Sequence, residues 1–162
     1  MPTGLLLDAN VLLLFYVGLL DRELVGTFKR TRQFTPGDFD LLKTIVDFHA
    51  GVVTTPHVLA EVSNLAQHLE GARRDDFFAM FAKSITLLKE VRSPASDLSG
   101  EPIFTRLGLS DAAVSQLARD DSLFVVTADV DLYVHLLTIG VRVINFNQAT
   151  EVARFVEDLS NP

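Results

Sequence analysis

Five acidic residues stand where an α/β chain can gather them. Asp8 directly follows the short apolar run Gly4-Leu5-Leu6-Leu7. Asp129 follows a second run, Leu123 to Thr127, and Asp131 comes two residues later. Asp111 opens a helical stretch just before that second run. Glu61 lies between Val58 and Leu65 at helical spacings, a Glu on an apolar stripe. In open parallel sheets ligands bind beyond the carboxyl ends of the strands, so acids at strand ends can share one edge.

Clustered carboxylates repel: at 4 Å and an effective dielectric near 20, each pair costs about 4 kcal/mol. Protons or cations must offset that. Oxygen ligands with no thiol and no histidine cluster select Mg²⁺ or Mn²⁺, which polarise phosphate oxygens and activate water. Each acid also has a plainer reading. Asp8 can cap a helix, Asp111 can sit at a helix N-terminus for the dipole, and Asp129 and Asp131 can serve a turn. Glu61 can reach water along its stem.

The elements that would position these residues are readable in outline. Gly4–Leu7 reads as a buried strand, followed by a mostly buried helix over 10–20. After a mixed stretch containing the turn signal Pro36-Gly37, apolar spacing marks a helix over 38–50, closed by Gly51. Val52-Val53-Thr54 is a short strand. Thr55 and Pro56 form a helix start, and that helix is expected to reach about residue 69, with Gly71 just past it. A long helix is expected over 72–91. Residues 93–108 read as a connection, and Ser110 as the cap of a helix over 111–120. The strand at 123–127, a short helix at 132–138, a strand at 141–146 and an amphipathic helix at 149–159 complete the chain. Strands alternate with helices, which predicts one α/β domain over residues 1–162 with a parallel sheet.

Composition bounds the function. The 162 residues are 48% hydrophobic and 22% charged, which excludes a disordered or collagen-like chain. With no cysteine there is no disulfide scaffold, thiolate zinc site or cysteine nucleophile, and a cytoplasmic location is expected. The longest apolar run, 11–20, is too short to span a bilayer, and no basic segment precedes it as in a secretory signal. A net charge of −7 argues against holding nucleic acid by bulk electrostatics, but not against reaching phosphates through cations.

Four stretches together resemble the PIN-domain family of metal-dependent nucleases. Leu5-Leu6-Leu7-Asp8-Ala9-Asn10 is similar to that family's opening strand and first acid. Thr55-Pro56-His57-Val58-Leu59-Ala60-Glu61 is similar to its second acidic segment, and Leu109-Ser110-Asp111-Ala112 to its third. Val125-Val126-Thr127-Ala128-Asp129-Val130-Asp131 is similar to its fourth. The order and rough spacing match across nearly the whole chain. The resemblance implies a Rossmann-like three-layer α/β/α fold with a mainly parallel central sheet, and cleavage of single-stranded RNA with Mg²⁺ or Mn²⁺. Asp8, Glu61, Asp111 and Asp129 would form the acidic centre, Asp131 an auxiliary ligand, and Asn10 and Thr127 would orient the carboxylates. It also implies an antitoxin protein as partner if the chain is a toxin.

Other features carry alternatives. Asp8-Ala9-Asn10 also resembles haloacid-dehalogenase-like phosphatases, but Asn10 stands where that chemistry needs a second Asp. A non-catalytic or regulatory PIN-like domain that binds RNA or protein is the other alternative. His57, Glu61, Asn64 and His68 share one helical face spanning about 16 Å, too far for one ion to touch both histidines. Lys29, Arg30 and Arg32, with Arg22 nearby and Arg73-Arg74 further on, are candidate RNA contacts or plain solvated charge. Phe77, Phe78 and Phe81 are expected in the core, or alternatively on a homodimer surface.

Overall fold

Leu5, Leu6 and Leu7 are completely shielded from solvent, as a central strand of a parallel sheet requires. The computed structural model describes residues 4–120 and 122–161. In it, strand β1 (Gly4–Leu7) leads into helix α1 (Ala9–Leu20), whose residues are apolar on nearly every side. Such a helix has to be covered all round. It packs against α2 (Pro36–Phe48), α3 (Pro56–Ala66) and α4 (Gly71–Ile85). A 3₁₀ turn, Arg22–Gly26, and a loop pinned by the buried Thr31 hydroxyl donating to the Val25 carbonyl (2.8 Å) link α1 to α2.

Strand β2 (Val52–Thr54) precedes α3, and β3 (Lys89–Glu90) follows α4. Then come α5 (Ala95–Leu98), α6 (Phe104–Leu117), β4 (Leu123–Thr127), α7 (Val130–Thr138), β5 (Val143–Asn145) and α8 (Phe146–Ser160). The five strands form one sheet in the order β3-β2-β1-β4-β5, every pair parallel. Helices flank it in a Rossmann-like three-layer arrangement. Chain order runs outward from β1 to β3, then restarts at β4 on the other side of β1. The topological switch point therefore lies between β1 and β4, paired from Gly4 with Leu123 to Leu7 with Val126. No helix among the described residues is long and apolar enough to cross a membrane.

Several boundaries differ from the sequence reading, each for a physical reason. Pro36-Gly37 is not a turn but the first turn of α2. Thr35 caps that helix in a reciprocal capping box with Asp38, and proline fits the first helical position because its missing N–H has no partner there. The same helix ends at Phe48, with His49 and not Gly51 as its cap. Helix α3 stops at Ala66, short of the expected 69, and Gly71, expected just past its end, is the first residue of α4.

The long helix expected to Val91 gives way to β3. Lys89 and Glu90 carry no strand signal of their own and become extended by pairing with Val53 and Thr54. Ser110 is not a helix cap, because α6 already begins at Phe104. A break at Gly108, whose φ of +86° only glycine adopts readily, realigns the chain, and the Ser110 hydroxyl is buried without a partner among the described residues. Asn145 ends β5 and caps α8, which starts three residues earlier than expected. Phe77 and Phe81 are buried in the core, and Phe78 lies under the Arg74 guanidinium, so this trio is not a free homodimer surface.

Where α1 crosses α2, buried Gly18 faces Phe39, and a Cβ at position 18 would come within 2.0–2.5 Å of three carbons of the aromatic ring. Gly18→Ala should therefore destabilise the fold by about 1–3 kcal/mol, although alanine is the better helix former. Thermal denaturation checks this, and combining it with Phe39→Leu should restore part of the loss.

Candidate active site

Asp8 leaves β1 at the switch point and its carboxylate does two structural jobs. One oxygen accepts the Val11 N–H at 2.8 Å, capping α1. The other accepts the Thr127 hydroxyl and the Ala128 N–H (2.9 Å), which tie it to the end of β4. Thr127 Oγ1 in turn accepts the Asp129 N–H at 3.0 Å. Asp129 caps α7 by accepting the Leu132 N–H at 2.9 Å. Two adjacent strands thus end in two aspartates, each heading a helix, with one threonine hydroxyl between them. Of the two carboxylates that Thr127 was expected to orient, its hydroxyl bonds that of Asp8, whereas toward Asp129 it meets only the backbone N–H. The Asn10 side chain is exposed and makes no hydrogen bond among the described residues, so it does not orient the carboxylates as expected.

Asp111 joins from α6 and Glu61 from α3, two helices that pack together. The Asp111 carboxyl is pushed up to about 7, first by burial and then by the charges of Asp8, Asp129 and Glu61. The charges that act on Asp111 are thus those at the ends of β1 and β4 and the one on α3. Asp8 is raised as well: its burial outweighs the three donors that favour its charged form, and the Asp129 charge adds to the shift. Asp131 is exposed in the first turn of α7 and is not among the charges that raise Asp111.

Two supports were not singled out from sequence. Ser115, one turn beyond Asp111, shares a 2.9 Å hydrogen bond with His135 Nε2 and so fastens α6 to α7. Asn147 donates to the Ala128 carbonyl at 3.0 Å, bracing the loop before Asp129 from α8. Asn145-Phe146-Asn147 beyond a strand is a readable cap signal. The Ser115–His135 pair has no local signal, because only helix packing brings it together.

The basic candidates are divided. Lys29 and Arg32 are exposed, and Lys29 lines a surface cavity of about 420 Å³ together with His68, Glu70 and Arg73. Arg30 is half-buried and bonds His68 Nε2 at 2.8 Å, which gives it a structural task. Arg22 is paired with Asp40 (2.7 Å) and Glu23 (2.8 Å). His68 lies beyond the end of α3, and His57 Nδ1 is buried without a partner among the described residues.

The donor set suits a hard divalent cation: carboxylate oxygens, one of which is driven toward protonation by burial first and by its neighbours' charges second. As they stand, no group of three or more His, Asp or Glu side chains among the described residues is disposed to hold an ion. No family model matches this chain, and no curated protein matches it.

The raised Asp111 has a signed consequence. Its folded form keeps a proton that the unfolded chain, with an ordinary value of 3.8, releases. Its stabilising contribution is full below about pH 4 and is lost as the pH rises through about 7. In metal-free buffer, Asp111→Asn should leave stability near pH 4 almost unchanged and raise it at pH 8 by on the order of 2 kcal/mol, allowing for partial solvent access. Denaturant melts at the two pH values check this, and parallel curves for the two proteins would contradict it.

Proposed function

We propose that this protein is a metal-dependent endoribonuclease that cleaves single-stranded RNA. The observation that carries the proposal is the gathering of Asp8, Glu61, Asp111 and Asp129 at the switch point, where Asp111 feels the charge of the other three. The resemblance of the four segments to PIN domains supports the same reading. Asp8, Glu61, Asp111 and Asp129 would hold Mg²⁺ or Mn²⁺, with Asp131 at the rim. The ion would supply Lewis acidity toward a phosphate oxygen and a water acidic enough to attack near neutral pH.

The chain's own residues do the positioning. Thr127 and the Ala128 N–H hold the Asp8 carboxylate in one orientation, and the Leu132 N–H holds that of Asp129. Asp111, its carboxyl raised to about 7, would be a fully charged donor with a cation to offset its neighbours. Exposed Lys29 and Arg32 would meet RNA phosphates. The setting we propose is cytoplasmic, with an antitoxin as protein partner if the chain is a toxin.

A second reading, a non-catalytic RNA- or protein-binding domain, is favoured by one observation: both Asp8 oxygens are already engaged as caps and ties. A phosphatase role is disfavoured, because exposed Asn10 cannot act as an acid or base.

Three measurements separate these readings. Millimolar Mn²⁺ or Mg²⁺ should raise the melting temperature, and Asp8→Asn should shrink that gain; melting curves indifferent to metal would favour the non-catalytic reading. Labelled single-stranded RNA should be cut with Mg²⁺ or Mn²⁺, spared in excess chelator, and cut more slowly by orders of magnitude by a folded Asp129→Asn variant. Full activity of that variant, or turnover of a simple phosphate ester in place of RNA, would overturn the assignment. Lys29→Ala with Arg32→Ala should weaken RNA binding modestly and reduce its salt dependence.

A further inference from the structure

The polar face of α3 leads away from the acidic centre. Glu61, Asn64 and His68 stand at i, i+3 and i+7, and the chain keeps turning past Ala66, with the His68 N–H donating to the Leu65 carbonyl at 3.3 Å. At ~1.5 Å per residue, His68 lies about 10 Å from Glu61 along the axis. There it lines a surface cavity of about 420 Å³ together with Lys29, Glu70 and Arg73. Lys29 comes from the loop after the 3₁₀ turn, His68 and Glu70 from the α3–α4 connection, and Arg73 from the first turn of α4.

The charges on this wall run against the rest of the chain. Acids outnumber bases 21 to 14 in the sequence, yet here two cations face one carboxylate. Among the described residues Lys29 and Glu70 make no ion pair, and Arg73 has only a long contact with Asp21 at 3.6 Å. Arg30 stands behind the wall without lining the cavity. It donates to His68 Nε2 at 2.8 Å, so that nitrogen carries no proton, and the guanidinium meets no carboxylate among the described residues. Its Nε is buried there without a partner. A buried donor on a charged group that is left unmatched is costly, and a nearby anion offsets part of that cost. Glu70 holds the N-cap position of α4 but makes no capping bond with its side chain, so the positive end of this 15-residue helix stands beside the same cavity.

We infer that this cavity is a phosphate subsite, which holds a backbone phosphate of the RNA strand about 10 Å from the acidic centre. The inference rests on the nuclease reading for its ligand. Lys29 and Arg73 donate to the phosphate oxygens, and the bound charge also supplies the counter-charge that Arg30 lacks. The exposed Asn64 stands between the two places on the same helical face, so a single strand laid along α3 reaches both. Grip on one phosphate away from the acids is what a chain with a net charge of −7 needs, because its overall field repels the strand. Glu70 works against that grip and sets a sign for the test.

The test reads binding apart from turnover. With the full chain in excess chelator, where no strand is cut, the fluorescence anisotropy of a labelled single-stranded RNA oligomer reports affinity from about 50 to 300 mM NaCl. Arg73→Gln should weaken binding about 5-fold and lower the salt slope by ~0.7, the value of one phosphate contact on a single strand. Glu70→Gln should tighten binding, because it removes the one negative charge from the wall. Lys83→Gln, at an exposed cation further along α4, should change neither. With Mn²⁺ added, Arg73→Gln should raise KM for the oligomer and leave kcat unchanged, since the cavity touches no reacting atom. A dinucleotide, whose single phosphate occupies only the acidic centre, should be cut alike by both proteins. Equal RNA affinity of the wild type and Arg73→Gln would overturn the inference. So would an equal loss in Lys83→Gln, weaker binding by Glu70→Gln, or a loss on the dinucleotide as large as on the oligomer. A wild type that binds RNA in the expected pattern but cuts none with Mg²⁺ or Mn²⁺ would overturn the nuclease reading and leave the subsite standing.

Discussion

The buried carboxylate of Asp8 is the joint on which the arrangement depends. It accepts one hydrogen bond from the start of its own helix and two from residues 119 and 120 positions further along the chain. Strands β1 and β4 become neighbours only because the chain, having built the β1–β3 half of the sheet, returns to the other side of β1. Asp8 fastens that return at the edge where both strands end. Hydrogen bonds to a charged group contribute more than neutral ones, about 1.5–3 kcal/mol each. They must offset the desolvation of a carboxylate that has no basic partner. Burial still wins in part, which is why its proton affinity is raised despite three donors.

This placement has a consequence for Asp111. A cation beside Asp8 would have relieved the charge, but the neighbours are Asp129 and Glu61. The acids are held by α6, by the α7 cap and by α3, with the Ser115–His135 bond locking α6 to α7. The fold thus keeps unfavourable electrostatics in place with ordinary packing and capping. A local rule broken against a consistent background is what a functional site looks like.

The outer surface divides along similar lines. Many of the basic side chains are committed to ion pairs or hydrogen bonds within the chain, as with Arg22, Arg30, Arg119 and Arg154. Lys29 and Arg32 remain outward on the loop after the 3₁₀ turn. The exposed apolar side chains of α7 and α8, Val134 and Phe155 among them, occupy a different region, reached from the site through Val130, which directly follows Asp129. A chain with a net charge of −7 thus presents acids at the sheet edge, two cations on one loop with no ion pair among the described residues, and exposed apolar side chains on its last two helices.

Much of the architecture could be read locally. An all-apolar run as short as Leu5-Leu6-Leu7 or Phe124-Val125-Val126 reads as a buried strand by its length, where the longer run over 11–20 makes a covered helix, and a Thr-Pro pair ahead of a periodic segment starts a helix. Those signals located β1, β2, β4, α3 and the acids that follow or flank them. The stretches that misled were those whose state is decided elsewhere. Lys89-Glu90 is a strand because Val53 and Thr54 offer it hydrogen bonds, and Gly108 breaks a helix whose first turn carries no cap signal. The periodicity of residues 149–159 told which side chains share a face. It could not tell that this face would point to solvent while Phe146, Thr150 and Arg154 hold the helix down. Periodicity is a property of the local backbone and was determined by the sequence alone. Strand order, the meeting of Asp8 with Thr127 and the face each helix buries were decided only in the tertiary structure, because each depends on groups distant in the chain competing for the same space.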